Sequence, residues 1–363
     1  MRIGILTLPF NNNYGGFLQA YALQTVLEEK GHEVIIVNRR GGIKSTLKRI
    51  KRAMRNLINT VIKLEYHALG DPYEYKGKKM HKFVNKYMHL SKPLYTSAEL
   101  HKFFNENKID AVIVGSDQLW RPDYVPNVED YFLGYLPAGT KKYSYAASFG
   151  IENPTYTTSQ IKTCGEAIGK FDIVTLREKS GIDIFDKFGW NRPDARVVLD
   201  PTMLLDSTHY NSLIKDYTPQ IKFEGKILNY LLDSNVEIEY LIDCVEKELN
   251  IKSEYIINPK KWKQASYIFP SMEEWLCAFR DAEFVVTDSF HGTVFSILYH
   301  KPFIACANNE RGVDRFITLL ETFNLCDRLV SDWRNIENTL TKSIDWGYID
   351  LVLNNKRKEF PFE

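Results

Sequence analysis

Residues 283–298 read EFVVTDSFHGTVFSIL, and residues 302–307 read PFIACA. A short β-branched and aromatic run stops at Thr287. A carboxylate, a hydroxyl and an imidazole follow it, then an apolar helical stretch and a second short apolar run. Strand, polar turn, helix and strand in that order make a βαβ unit, and its strands are parallel in one sheet.

The same alternation extends through the chain. Before this stretch come KILNYLLD (226–233) and SEYIIN (253–258), with helices expected near Val236–Leu249 and Met272–Ala282. After it comes a helix near Val313–Phe323. In the first half the apolar runs are Arg2–Leu8, HEVIIVN, DAVIVG, KYSYAAS, IVTLR and ARVVLD. Gly15 and Gly16 precede a helix that begins at Phe17 and is stopped by Gly31 at its C′ position. At 363 residues the chain fits two domains, each large enough for its own core. The expected division is an N-terminal Rossmann-like domain at 1–205, a C-terminal one at 206–340 and a helical tail at 341–363. The first domain carries a basic helical insertion at about 44–95.

Composition excludes several classes. The chain is 44% hydrophobic and 26% charged, with 47 Lys and Arg against 46 Asp and Glu, a net +1. A near-neutral globular chain has no polyelectrolyte character, so no nucleic-acid partner is expected. The five cysteines, Cys164, Cys244, Cys277, Cys306 and Cys326, include no C-x-x-C pair. This disfavours a disulfide framework and a zinc site, and suits a reducing cytoplasm. The N-terminus runs into a strand without a signal-peptide pattern, and no apolar run is long enough to span a bilayer. Residues 44–63 carry Lys44, Lys48, Arg49, Lys51, Arg52, Arg55 and Lys63 without an acidic residue, with apolar side chains at helical spacing. Such a helix either lies on an anionic membrane or docks on its own domain with a solvated basic face.

Parallel sheets bind ligands outside the carboxyl ends of their strands, where loops lead into helix N-termini. The first strand is followed by Asn13, Gly15 and Gly16, which offer a polar side chain and close backbone approach, or else a plain turn. DAVIV is followed by Gly115, Ser116, Asp117, Gln118, Trp120 and Arg121. Asp117 there accepts a sugar hydroxyl, acts as a base, or serves as an N-cap or Asx-turn residue. KYSYAA leads to Ser148, and IVTL leads to Arg177. The latter either grips a carboxylate or phosphate with its planar fork, or pairs at the surface with Glu178 or Asp183. In the second half, Asp288 or Ser289 caps the helix and His291 falls in its first turn, beside the end that attracts anions. Arg311 and Arg315 follow PFIACA one helical turn apart, flanking Asp314 or sharing a ligand.

These residues carry a resemblance. The strings NNNYGGFLQAYALQ, GSDQLW, YAASFG, LREKSG, LDPTMLL and DSFHGTVFSILYHKPFI recur in this order in the polysaccharide pyruvyl transferase family, which the chain resembles from its first strand to about Leu325. The resemblance implies a fold like that of the B-type glycosyltransferases, two Rossmann-like domains facing across a cleft. It implies transfer of pyruvate from phosphoenolpyruvate to a sugar of a polysaccharide precursor, usually as a cyclic ketal. Some members act on lipid-linked precursors, and together with the basic stretch 44–63 this suggests an acceptor linked to a lipid such as a polyprenyl diphosphate, at the inner face of the cytoplasmic membrane. Phosphoenolpyruvate would be a co-substrate, and neither a cofactor nor a metal is called for. By the family pattern, Arg177 and His291 match phosphoenolpyruvate-binding positions, and Arg311 stands where the family often has a basic residue. Ser289 departs from members with an arginine there, so Arg121 or Arg315 would supply that charge. His291 would do acid–base work or stabilise phosphate, with Asp117 or Asp288 as a second proton carrier. The rival readings are a nucleotide-sugar glycosyltransferase of the same architecture and a non-catalytic sugar- or anion-binding protein.

Overall fold

The computed structural model describes residues 1–41, 54, 75–233, 235–262, 264, 266–306, 312–330 and 336–362. Apart from Met54, the basic stretch 44–63 lies outside the described residues, as does Arg311. The chain forms two compact units. The first comprises Met1–Arg52, Asn85–Leu204 and Lys356–Glu363; the second comprises Ala53–Val84 and Leu205–Asn355. Each is an α/β unit around one parallel sheet, so the chain has two Rossmann-like domains.

In the first unit, β1 (Arg2–Leu6) leads through α1 (Tyr14–Glu29) to β2 (Glu33–Val37). Next in the chain are α2 (Lys78–Tyr87), whose residues up to Val84 group with the second unit, and α3 (Ser97–Glu106) of the first. Strand β3 (Ala111–Asp117), β4 (Lys141–Ala147), α4 (Thr158–Ile168), β5 (Ile173–Leu176), α5 (Ser180–Phe188) and β6 (Arg196–Val197) complete the sheet. Its order is β2-β1-β3-β4-β5-β6, with every pairing parallel. The winding reverses between β1 and β3, which makes the carboxyl ends of those strands the switch point where a ligand crevice opens.

Two expectations shift here. The first helix starts at Tyr14, not after the glycines, because the Asn13 side chain accepts a hydrogen bond from the Gly16 amide and nucleates the turn early. Gly15 and Gly16 are therefore in its first turn. The strand expected over ARVVLD is paired only at Arg196 and Val197, because Asp200 turns the chain into a 3-10 turn at Pro201–Met203 and caps it.

In the second unit, α6 (Ser207–Ile214) precedes β7 (Ile227–Tyr230), α7 (Val236–Leu249), β8 (Ser253–Tyr255), α8 (Met272–Asp281), β9 (Phe284–Thr287) and α9 (Phe290–Leu298). Then come β10 (Phe303–Cys306), α10 (Asp314–Thr322), β11 (Leu329–Val330), α11 (Glu337–Thr341) and α12 (Trp346–Arg357). The sheet order is β11-β10-β9-β7-β8, again all parallel, with its switch point between β7 and β9. Every residue of α9 is buried, as a helix covered on all sides requires. One face of the unit holds an aromatic cluster of Tyr210, Tyr230, Trp275, Phe279 and Phe295.

Of the expected insertion, residues 75–84 group with the second unit and residues 85–95 with the first. Lys76 donates from Nζ to the Trp262 carbonyl at 2.8 Å, and its own carbonyl accepts from the Phe269 amide at 2.9 Å. The C-terminal stretch also divides. Residues from Lys356 onward belong with the first unit, where Phe360 and Phe362 pack on Tyr145 and Tyr143. No helix among the described residues is long and apolar enough to cross a membrane.

Candidate active site

In the first unit the switch point is built from the exits of β1 and β3. Thr7 donates to the Ser116 carbonyl at 3.3 Å, and Gln19 of α1 donates to Thr7 Oγ1 at 2.8 Å and to the Gly16 carbonyl at 2.9 Å. Gly115 lets α1 lie close on β3, since a Cβ there would stand 2.7 Å from Leu23. Asp117 ends β3 with a backbone φ of 80°, the left-handed region that a non-glycine residue adopts only when its surroundings enforce it. Ala146 of β4, beside it, also has a positive φ, at an irregularity in the β4–β5 pairing.

Arg177 lies at the end of β5, but not as an open fork. Its side chain is 1% exposed and faces three carboxyl groups. Asp200 Oδ2 is 3.3 Å from Nη1, Asp117 Oδ1 is 3.6 Å from Nη2, and Glu178 Oε2 is 3.8 Å from Nε. Burial pulls the Arg177 pKa down, but Asp117, Asp200 and Glu178 outweigh it and raise the pKa overall. The pairing with Glu178 weighed for the sequence is present; it is buried, not a surface pair.

The carboxyls are themselves held. Asp200 accepts from the Thr202 amide and hydroxyl through Oδ1, and from Ser116 Oγ at 2.7 Å through Oδ2. Glu178 Oε1 accepts from Ser148 Oγ, the Phe149 amide and the Gly150 amide at 2.8, 2.9 and 3.2 Å. Ser116 and Ser148, expected to meet substrate, therefore spend their hydroxyls on these two carboxylates. Gln118 donates its amide to Asp117 Oδ1, and its side-chain carbonyl accepts from Arg121 Nη1 at 3.2 Å. The half-buried Arg121 guanidinium lies over the exposed Tyr124 ring. Asn13 is exposed at the start of α1.

In the second unit the strand ends carry His291 and Arg315. Ser289, not Asp288, caps α9, its hydroxyl accepting from the Gly292 amide at 3.3 Å, and His291 is buried in the first turn. Asp288 has another task. Its two oxygens accept from the Leu232 and Asp233 amides at 2.7 and 3.0 Å, tying the loop after β7 to the end of β9. These two bonds give Asp288 an anchoring role at the strand end. Gly292 brings α9 hard against the sheet; a Cβ there would sit 2.2 Å from Thr287 Oγ1. Arg315, buried in the first turn of α10, lies over the rings of Phe290 and Phe316 at 5.7 and 5.8 Å, Phe290 being the residue before His291. At the end of β10, burial and then the charge of Asp288 push the Cys306 thiol pKa up.

Among the described residues no three His, Cys, Asp or Glu side chains are arranged to hold a metal ion. The three carboxyls that do converge enclose a guanidinium. Sequence reasoning missed Glu178 and Asp200 as site carboxylates, and Gln19 altogether. The signal for Asp200 was there, a carboxylate closing an apolar run, but its partner Arg177 is remote in the chain.

A family model described as polysaccharide pyruvyl transferase matches residues 13–310. No curated protein sequence matches the chain. Among solved structures, the UDP-GlcNAc 2-epimerase of Neisseria meningitidis is similar at a TM-score of 0.53 and 10% identity, covering 99% of this chain and 98% of that one. The UDP-GlcNAc 2-epimerase of Methanocaldococcus jannaschii is similar at 0.54 and 12%, covering 98% and 94%. At such identities the likeness shows the fold alone, and that fold is of the B-type glycosyltransferase kind.

Proposed function

The chain belongs to the polysaccharide pyruvyl transferase family, and from that premise we propose that it moves the pyruvyl group of phosphoenolpyruvate onto a sugar of a polysaccharide precursor, closing a ketal and releasing phosphate. The observation that carries this reading is His291. It is a buried imidazole in the first turn of α9, at the switch point of the second sheet and inside the family match. Phosphoenolpyruvate is a small polyanion. A helix N-terminus with an imidazole, and an arginine in the first turn of the next helix, are groups that would make the polar and charged contacts such a donor needs.

The chemistry balances without a redox partner. A proton is added to the methylene carbon, and a sugar oxygen bonds to C2. A second sugar oxygen then bonds to C2 as the C2–O bond to phosphate breaks. Of the two hydroxyl protons lost, one ends on the new methyl group and one on phosphate. His291 would deliver a proton or bind the phosphate as it leaves; Arg315 would hold donor charge.

The test is phosphate release from phosphoenolpyruvate in the presence of a panel of saccharide acceptors, with the acceptor gaining one pyruvyl group by mass. His291→Ala is expected to abolish turnover while leaving the protein folded, as circular dichroism would show. Near-normal turnover in that variant removes His291 from the reaction. Nucleotide release from a sugar donor, with none of phosphate from phosphoenolpyruvate, replaces the reading with a glycosyltransferase.

A further inference from the structure

We propose that Arg121 and Tyr124 form a binding site for an acidic saccharide, with a sugar carboxylate in the fork of Arg121 and a sugar ring against Tyr124. The proposal deepens the pyruvyl-transfer reading above and rests on it for the role of the sugar, which becomes an acceptor carrying a uronic acid.

The site lies wholly in the first unit, just past the end of β3. Trp120 fixes the loop. Its ring is fully buried against Phe132 and Phe149, its Nε1 donates to the Tyr131 carbonyl at 3.1 Å, and its own carbonyl accepts from the Tyr156 hydroxyl at 2.6 Å. The chain then leaves the core at Arg121 and passes through a 3-10 turn at Pro122–Tyr124, closed by the Tyr124 amide on the Arg121 carbonyl at 3.0 Å. The Pro122 ring sets φ at the first position of that turn. Both side chains therefore stand on a rigid base.

Two independent observations point to a ligand there. The first is the guanidinium. Arg2, Arg39, Arg177 and Arg192 of the same unit each have a carboxylate partner. Arg121 has none among the described residues. Its Nη1 donates to Gln118 Oε1 at 3.2 Å, and its Nε is buried without a hydrogen-bond partner among the described residues. A buried donor left unfilled is costly, so it is retained where a ligand supplies the acceptor. Nε and Nη2 form the edge of the fork that takes a carboxylate through two parallel bonds. Gln118 is itself held, since it lies across Gly150, where a Cβ would stand 2.0 Å from Gln118 Oε1.

The second observation is the ring. Among the described residues of the first unit, Tyr124 is the exposed large aromatic side chain, at 44%. The Arg121 guanidinium lies 4.3 Å from its centroid and steadies it by cation–π attraction. A tyrosine so held offers a ligand apolar contact area and a polar tip at little entropic cost. A pyranose has a C–H face to lay against such a ring, and a uronic acid carries its carboxylate at the rim of that face. Phosphoenolpyruvate shares the carboxylate, but its short carbon skeleton has no comparable face. The pair therefore suits an acidic sugar better than the donor.

The experiment uses the full chain and has two arms. In the first, oligosaccharides of glucuronate, galacturonate or mannuronate, and their carboxyl-reduced neutral counterparts, are titrated by calorimetry, with no turnover required. An acidic member is expected to bind about tenfold or more tighter than its neutral counterpart. Arg121→Gln should erase that preference. Tyr124→Ala should weaken binding of the acidic member about five- to tenfold, whereas Tyr124→Phe should hold it. Equal binding of acidic and neutral members, binding by none, or a preference that survives Arg121→Gln overturns the proposal. If Arg121→Gln fails to fold, Arg121→Lys is read instead; it keeps the charge and loses the fork, and an unchanged preference there overturns the proposal equally. In the second arm, phosphate release from phosphoenolpyruvate is measured with the saccharides that bind. No release with wild type sinks the pyruvyl-transfer reading, while the binding preference stands or falls on the first arm. With release, Arg121→Gln should raise KM for the acidic acceptor about tenfold or more and leave KM for phosphoenolpyruvate within about twofold. The reverse pattern makes Arg121 a ligand of the donor and overturns the assignment.

Discussion

Gly292→Ala tests how α9 is held against the second sheet. Alanine inside a helix is normally favoured over glycine, by about 1 kcal/mol. Here the added Cβ would stand 2.2 Å from Thr287 Oγ1, 3.0 Å from Thr287 Cβ and 3.0 Å from Tyr230 Cδ1. Thr287 is not free to rotate away, since its hydroxyl donates to the Tyr230 carbonyl at 2.7 Å and accepts from the Ser289 amide at 3.1 Å. Relief by moving the helix costs about 1–3 kcal/mol as overpacking. Relief by turning Thr287 breaks two buried hydrogen bonds, each worth about 1 kcal/mol and more once its partner is left unsatisfied. Either route outweighs the propensity gain, and a net loss of about 2 kcal/mol is expected. For a unit of this size that lowers the melting temperature by roughly 4–8 °C, read by calorimetry or circular dichroism. Turnover should fall as well, because the displaced turn carries His291. The contrast is Gly31→Ala, where φ is +83° and nothing lies within 4 Å. Only the left-handed strain of about 1–2 kcal/mol applies there, and turnover should hold. A Gly292→Ala protein that melts at or above wild type would refute the steric argument.

The tyrosines set an alkaline limit. Burial and the Glu274 hydrogen bond push Tyr217 up to about 12, and burial with Glu239 and Asp243 does the same for Tyr255. A phenol whose folded pKa is raised stabilises fully below its unfolded pKa of about 10, and that stability is lost as pH rises through the folded value. Melting temperature should therefore decline between about pH 10 and 12, with phenolate absorbance appearing late; full ionisation near pH 10 in the native protein would contradict this. The cysteines should separate by exposure. Cys326 is exposed, whereas burial pushes Cys164 up to about 12 and Cys277 up to about 11. A thiol reagent should label Cys326 first and leave Cys164, Cys277 and Cys306 protected until unfolding, and early labelling of Cys164 would count against the packing described.

What the sequence by itself determined was local. Apolar runs bounded by polar turns, with amphipathic stretches between, determined parallel sheets in two α/β units, because periodicity and burial are written into neighbouring residues. The placing of His291 in a first helical turn followed from the same logic, as did Gly31 at the end of α1, where φ is +83°. What only the tertiary structure decided was which distant groups meet. Asp117 and Asp200 close on Arg177 from the ends of other strands, and Asp288 turns from a candidate cap into a clamp on the loop after β7. Residues 75–84 join the second unit, whereas residues 85–95 join the first. A strand end announces itself in the chain. The partner of a buried charge is chosen by strand order, and strand order is settled by how whole faces pack, which no window of sequence contains.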